Sequence, residues 1–177
     1  MRVLTAEPMP SEVQALMERR RRAGADRHDE IWDGVLHMRP DPSRAHVSVQ
    51  QQLAELLGPL ARAAGLDPGI SGFNLGESEL DFRCPDGGLF REPSTAVWNP
   101  TAALVLEIVS PDDDSWNKFG FYAAHGVDEV LIVDPQQRTV DWFALGEGAY
   151  AAVAHSGLIE LGAAELAERL DWPALEQ

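Results

Sequence analysis

Three carboxylates in this sequence occupy positions where the surrounding pattern predicts strands. Glu107 interrupts LVLEIV, a run that is otherwise apolar, and an ionised carboxylate inside a core is costly unless it is paired or binds a metal. Asp86 follows the strand pattern ELDFRCP, and Glu30 lies at the start of a hairpin pattern. Mg²⁺ and related hard cations take oxygen ligands, commonly one or two carboxylates together with waters and a substrate phosphate. Two of these carboxylates on adjacent strands would therefore supply the protein ligands of such a cation.

Two further groups could complete such a site. The backbone carbonyl of Ile108 directly follows Glu107 and could provide one more oxygen ligand. Lys118 is the only lysine, since thirteen of the fourteen basic residues are arginine. A compact ammonium with an adjustable pKa suits catalysis better than a planar guanidinium does. The spacing alone is equally compatible with a solvent-facing lysine early in a helix.

Periodicity and turn signals predict the elements that must position these residues. Helices are expected at 11–23 and 163–170, and a long one is expected from His46 onward, which Pro59 should kink or whose regular part it should end. A further helix is expected from Pro111 to about His125, with Gly126 ending it. Strands are expected in a hairpin at 28–39, in two or three short segments from Ile70 to Phe90, in a buried central segment at 102–109, in a hairpin at 129–133 and 139–145, and in a weaker pair at 150–154 and 158–161. One α/β domain spanning 1–177, with a mixed sheet flanked by helices, fits this order.

The charge and composition restrict the function further. A formal net charge of -15 and a pI near 4.5 produce a field that repels polyanions, which counts against tight non-specific binding to DNA. The acidity suits binding of hard cations, and it equally suits a solvated surface. Arg19–Arg22 form the main basic cluster, either as a solvated helix face or as a phosphate-binding edge. We expect a cytoplasmic protein, because the sequence shows neither a signal-peptide pattern nor a membrane-spanning stretch.

The remaining polar residues have both structural and functional interpretations. His46 opens a helix, either as a capping or surface residue or at the edge of a site. Asp112–Asp114 either complement the dipole of a helix start or extend a metal site. Tyr122 is expected to pack in the core, and Cys84, the single cysteine, is expected to be a buried apolar residue that excludes a disulfide and a cysteine-built zinc site. No Gly-x-Ser-x-Gly element, phosphate-binding loop or dinucleotide fingerprint is present.

Four stretches resemble a known family. HDEIWDGVLHM with SRAH, DFRCPD, LVLEIVSP and NKFGFYAAHGVDEVLIVDP are similar to blocks of the Uma2-like (DUF820) family in the PD-(D/E)xK nuclease superfamily. The stretches span about 28–145. The resemblance implies a restriction-endonuclease-like fold, a central mixed sheet with helices on both sides and the site at its edge. It also implies hydrolysis of DNA with Mg²⁺ or Mn²⁺ by a homodimer.

The resemblance also assigns roles to individual residues. Asp86 and Glu107 would hold the metal, and Glu30 would touch it through water. The lysine that usually follows two residues after the glutamate is replaced by Val109, and the family moves it onto the next helix, where Lys118 is the candidate. The alternative is a catalytically inactive acidic binding or regulatory module that keeps the nuclease fold. The net charge and Val109 favour that alternative, whereas the retained acidic residues and lysine favour the enzyme.

Overall fold

The structure, a computed structural model, describes residues 2–4, 11–110 and 114–174. Within these residues the chain forms four α-helices: α1 (Ser11–Ala23), α2 (Arg44–Ala63), α3 (Phe119–Ala124) and α4 (Ala163–Arg169). A short 3₁₀ helix, Ser115–Lys118, leads directly into α3. The predicted helices at 11–23 and 163–170 are thereby confirmed.

Twelve strands complete the described part of the chain. They are β1 (Arg2–Leu4), β2 (Glu30–Trp32), β3 (Val35–His37), β4 (Asp67–Gly69), β5 (Asn74–Ser78), β6 (Asp81–Arg83), β7 (Gly87–Phe90), β8 (Trp98–Asn99), β9 (Leu104–Ile108), β10 (Glu129–Asp134), β11 (Thr139–Leu145) and β12 (Tyr150–Val153). The order in the first sheet is β1-β3-β2-β6-β5-β8, and the order in the second is β12-β11-β10-β9-β7-β4. Each sheet contains one parallel pair among antiparallel ones. The α/β class is confirmed, with two mixed sheets in place of the expected single one.

The second sheet contains the core of the molecule. Its strand β9 lies between β10, to which it is parallel, and β7, to which it is antiparallel, and all five of its residues are buried. Side chains alternate between the two faces of a strand. Leu104, Leu106 and Ile108 therefore pack with the apolar faces of α2 and α4, whereas Val105 packs on the opposite face with Tyr122. Glu107 shares the face of Val105.

Two predicted turns show the expected backbone. In the hairpin between β2 and β3, Asp33 and Gly34 have φ angles of 48° and 78°, as a two-residue type I′ turn requires. Gly126 follows α3 with a φ of 64°, a left-handed conformation that glycine adopts without a Cβ penalty. The hairpin positions Glu30, and the glycine ends the helix that follows Lys118.

The structure corrects two of the expected elements, and a third lies partly outside the described residues. The segment 158–161 is not a strand, because the backbone N–H groups of Leu158 and Ile159 donate to the Ser156 hydroxyl at 3.0 and 3.1 Å in place of a strand partner. Helix α2 continues past Pro59 to Ala63. The expected helix start at Pro111–Asp113 lies outside the described residues, and the helical part begins as a 3₁₀ turn at Ser115.

No helix in the described ranges is both long and apolar enough to cross a membrane.

The core packing generates the first prediction. Leu53 of α2 is fully buried, whereas Val47 on the same helix is 47% exposed. Leu53→Ala should lower the free energy of unfolding by about 2–5 kcal/mol, since it removes buried methyl groups and leaves a cavity. Val47→Ala should change it by less than about 0.5 kcal/mol. Urea unfolding of the three proteins checks the difference, and equal losses would contradict the assignment of α2 to the core.

Candidate active site

Lys118 lies at the centre of a buried cluster of charges. It is the last residue of the 3₁₀ helix, and none of its surface is exposed. Its Nζ atom lies 2.8 Å from Oε1 of Glu107 and 2.9 Å from Oε1 of Glu30. One ammonium thus joins a strand of the first sheet, the central strand of the second sheet and the helical segment after it.

Glu30 is held by four donors. Its Oε1 atom accepts hydrogen bonds from Lys118, from the Arg39 guanidinium at 3.1 Å and from the backbone N–H of Cys84 at 2.9 Å. Its Oε2 atom accepts from the indole of Trp32 at 2.6 Å. The carboxylate is fully buried, and this number of donors compensates for its lost hydration. Glu30 therefore serves as a fixed anchor for Lys118.

Glu107 is equally buried and has donors at both of its oxygens. Oε1 accepts from Lys118 and, through a short hydrogen bond, from the hydroxyl of Tyr122. Oε2 lies 3.4 Å from the Ser115 hydroxyl. Tyr122 was expected only to pack in the core. It is fully buried in the apolar cluster, but its hydroxyl also orients the carboxylate of Glu107.

The environment shifts the pKa of each member of the cluster. Burial would raise the pKa of Glu30, but the charges of Lys118 and Arg39 outweigh burial and lower it. Burial raises the pKa of Glu107, and Lys118 only partly opposes this. Burial would lower the pKa of Lys118, but Glu107 and Glu30 reverse the shift and raise it. Lys118 consequently carries its positive charge at neutral pH.

Asp86 forms the more exposed edge of the site. It follows β6, and 16% of its side chain is exposed. Its Oδ2 atom accepts the backbone N–H of Ile108 at 2.8 Å, which fixes it beside the residue that follows Glu107. Burial would raise the pKa of Asp86, but a hydrogen bond and charge interaction with His46 lower it. The charge of Asp86 in turn raises the pKa of Glu107, so the two carboxylates interact electrostatically.

The structure therefore brings the four side chains proposed from the sequence into one site. Glu30, Glu107 and Lys118 are in direct contact, and Asp86 is joined to β9 through Ile108. Cys84 is buried as expected, and burial raises the pKa of its thiol to about 12, so it remains protonated. Asp114 is the N-cap of the 3₁₀ helix, and Asp112 and Asp113 lie outside the described residues.

The sequence did not identify the supporting residues Tyr122 and Arg39, and it favoured the wrong environment for His46. Arg39 follows β3 and reaches back to Glu30 across the hairpin. His46 was expected mainly as a cap or a surface residue, but it is 7% exposed and lies 3.2 Å from Asp86. The available signal for Tyr122 was its spacing, because it lies four residues after Lys118 and shares its helical face.

Comparison with known families identifies the relatives of this chain. The model of Uma2, described as "Putative restriction endonuclease", matches residues 13–170. The chain belongs to the Uma2 family. The match begins within α1, extends through α4 and includes Glu30, Asp86, Glu107 and Lys118. Comparison with curated proteins finds no match.

A solved structure shows the same fold. The crystal structure of a "putative nuclease belonging to DUF820" from Anabaena variabilis superposes with a TM-score of 0.63 at 16% sequence identity. The alignment covers 80% of the present chain and 90% of the other chain. At this identity the likeness establishes the restriction-endonuclease-like fold for this Uma2 protein.

The buried cluster generates a prediction about stability. Lys118→Met removes the cation that Glu30 and Glu107 share, so it should lower the free energy of unfolding by about 3–5 kcal/mol. Urea unfolding measures the loss. Arg169→Met, which removes the partner of Glu165 in an exposed pair on α4, is the control and should have little effect. A Lys118→Met protein as stable as the wild type would contradict the role of Lys118 in joining the sheets.

The lowered pKa of Glu30 generates a prediction about pH. A carboxyl group whose pKa is lower in the folded protein stabilises the fold above its unfolded pKa of about 4.3, and this contribution is lost as the pH falls through the folded value. The stability difference between the wild type and Glu30→Gln should therefore be largest near neutral pH and should narrow on acidification. Urea unfolding over the acidic range checks this. A difference that does not change with pH would contradict ionisation of Glu30 in the cluster.

Proposed function

We propose that this protein is a divalent-metal-dependent endonuclease that hydrolyses phosphodiester bonds, with DNA as its substrate. The observation that carries the proposal is the 2.8 Å contact between Lys118 and Glu107. Val109 stands two residues after Glu107, where the superfamily pattern has its lysine, and valine cannot donate a hydrogen bond. Lys118 supplies the missing ammonium from the next helical segment.

The side chains fit a divalent cation in their chemistry. Asp86, Glu107 and the backbone carbonyl of Ile108 offer the oxygen ligands that Mg²⁺ and Mn²⁺ prefer. Within the described ranges, no group of three or more His, Cys, Asp or Glu residues is placed to hold a metal ion by itself. The proposed cation would therefore take two carboxylates from the protein and its other ligands from water and a substrate phosphate.

The roles of the protein groups follow from their charges. A bound Mg²⁺ or Mn²⁺ would lower the pKa of a coordinated water and stabilise negative charge on the phosphate. Asp86 and Glu107 would hold that ion. Because Lys118 keeps its proton, it serves as a hydrogen-bond donor and positive charge that orients the attacking oxygen or stabilises the phosphate, as preorganised donors do in other enzymes. Glu30 acts on the site indirectly, because it fixes the position of Lys118.

The proposed substrate is a nucleic acid, and the proposed assembly is a homodimer. Family membership supports a nucleic acid as substrate. The net charge of -15 weakens binding that depends on the phosphate backbone alone, and the bound cation would offset part of this repulsion. A homodimer would provide the two sites needed to cut both strands of a duplex.

A second candidate function rests on the closed geometry of the cluster. Glu30, Glu107 and Lys118 expose no surface, and Lys118 and Tyr122 already satisfy Oε1 of Glu107. A catalytically inactive binding or regulatory module could retain this arrangement for stability alone. Such a module would bind no divalent cation and would cleave no nucleic acid.

Substitution of the site residues tests the proposed activity. Asp86→Asn and Glu107→Gln should abolish Mn²⁺-dependent cleavage of DNA, because each removes charge from a proposed ligand of the cation. Lys118→Met should lower kcat by about 10²–10³-fold, as expected for loss of one donor that acts on the transition state. Cleavage of single-stranded and duplex DNA, followed on gels, measures the effect.

Asp141→Asn is the matched control. Asp141 is an exposed carboxylate on β11, so the variant should cleave at the wild-type rate. Circular dichroism confirms that each variant is folded. Unchanged cleavage by folded Asp86→Asn would contradict the proposed ligands, and wild-type protein without cleavage or cation binding would favour the inactive module.

A further inference from the structure

The first turn of α2 packs directly on Asp86. His46 is 7% exposed, and both of its ring nitrogens have partners. Nε2 lies 3.2 Å from Oδ1 of Asp86, and Nδ1 lies 3.2 Å from the hydroxyl of Ser110. Ser110 follows β9 by two residues. The imidazole therefore bridges Asp86 and the chain that leaves the central strand.

The helix itself is fixed at this point. Ser43 caps α2 by accepting the backbone N–H of His46 at 3.1 Å. Val49, less than one turn further on, is fully buried in the core. Gln50, four residues after His46, donates to the backbone carbonyl of Asp86 at 2.6 Å. The helix thus holds both the side chain and the backbone of Asp86, and it cannot shift without disturbing the core.

We propose that His46 is a positioning residue that fixes the Asp86 carboxylate for a divalent cation. This inference rests on the proposed function. An ionised carboxylate only accepts hydrogen bonds, so Nε2 of His46 donates to Oδ1 of Asp86. The Ser110 hydroxyl, 3.2 Å from Nδ1, holds the other side of the ring and fixes its orientation.

The consequence is a carboxylate held at both of its oxygens. Oδ1 accepts from His46, and Oδ2 accepts from the backbone N–H of Ile108. Each carboxylate oxygen has a second lone pair for a cation. Without His46, Oδ1 would lose its donor and Asp86 could rotate away from Glu107. Loss of a hydrogen bond that orients a ligating carboxylate typically weakens metal binding by about 10–100-fold.

Calorimetric titration of Mn²⁺ into four proteins tests this role. His46→Phe keeps an aromatic ring but cannot donate, and it should weaken Mn²⁺ binding by about 10–100-fold. His46→Gln keeps a donor and should recover most of the affinity. Val47→Ala changes the exposed neighbouring side chain and should bind like the wild type. If His46→Phe fails to fold, His46→Ala replaces it.

Cleavage kinetics give a second measurement that a purely structural role would not change in the same way. In His46→Phe, the Mn²⁺ concentration for half-maximal cleavage should rise by the same factor as the Kd, while kcat at saturating Mn²⁺ stays near the wild-type value. If the wild-type protein binds Mn²⁺ and cleaves DNA, and His46→Phe does both equally well, the positioning role of His46 is overturned while the proposed function stands. A wild-type protein that neither binds Mn²⁺ nor cleaves DNA would overturn the proposed function and this inference with it.

Discussion

The buried ammonium of Lys118 is the interaction on which the rest of the site depends. It contacts Glu30 of the first sheet and Glu107 of the second, so one buried cation joins the two sheets. Burial of one charge without its partners would cost several kcal/mol. The hairpin, the central strand and the 3₁₀ turn must therefore all form for any of the three charges to be stable. Arg39 and Tyr122 complete the cluster by donating to the two carboxylates.

The site divides into a closed half and a more open half. Glu30, Glu107 and Lys118 have no exposed surface, whereas Asp86 is partly exposed and is held by His46 and Ile108. Among these four side chains only Asp86 presents surface to solvent, so a substrate would approach from its side. The closed half keeps the lysine charged and fixed, and Asp86 on the open side would hold the cation together with Glu107. This division explains how an acidic protein can keep a positive group at its site without exposing it.

Local sequence patterns predicted most elements, and they singled out the carboxylates and the lysine that the structure brings together. The interruption of an apolar strand by Glu107 and the Asp33-Gly34 turn are local signals, and the structure agrees with both. The division into two sheets was not predictable, because alternation specifies a strand but not its partner. The sequence left the environment of His46 open for a similar reason, since its contact with Asp86 joins residues forty positions apart. The pattern at 158–161 predicts a strand, but the backbone N–H groups of Leu158 and Ile159 donate to the Ser156 hydroxyl and not to a neighbouring strand.

The measurement that tests the central claim most directly is a crystal structure of the protein soaked with Mn²⁺, with data collected at an energy where manganese scatters anomalously. We expect an anomalous peak within about 2.2 Å of carboxylate oxygens from both Asp86 and Glu107, with Lys118 still beside Glu107. A map without a peak at these carboxylates, from crystals in which the site is open to solvent, would contradict the assignment and would leave the cluster with a structural role.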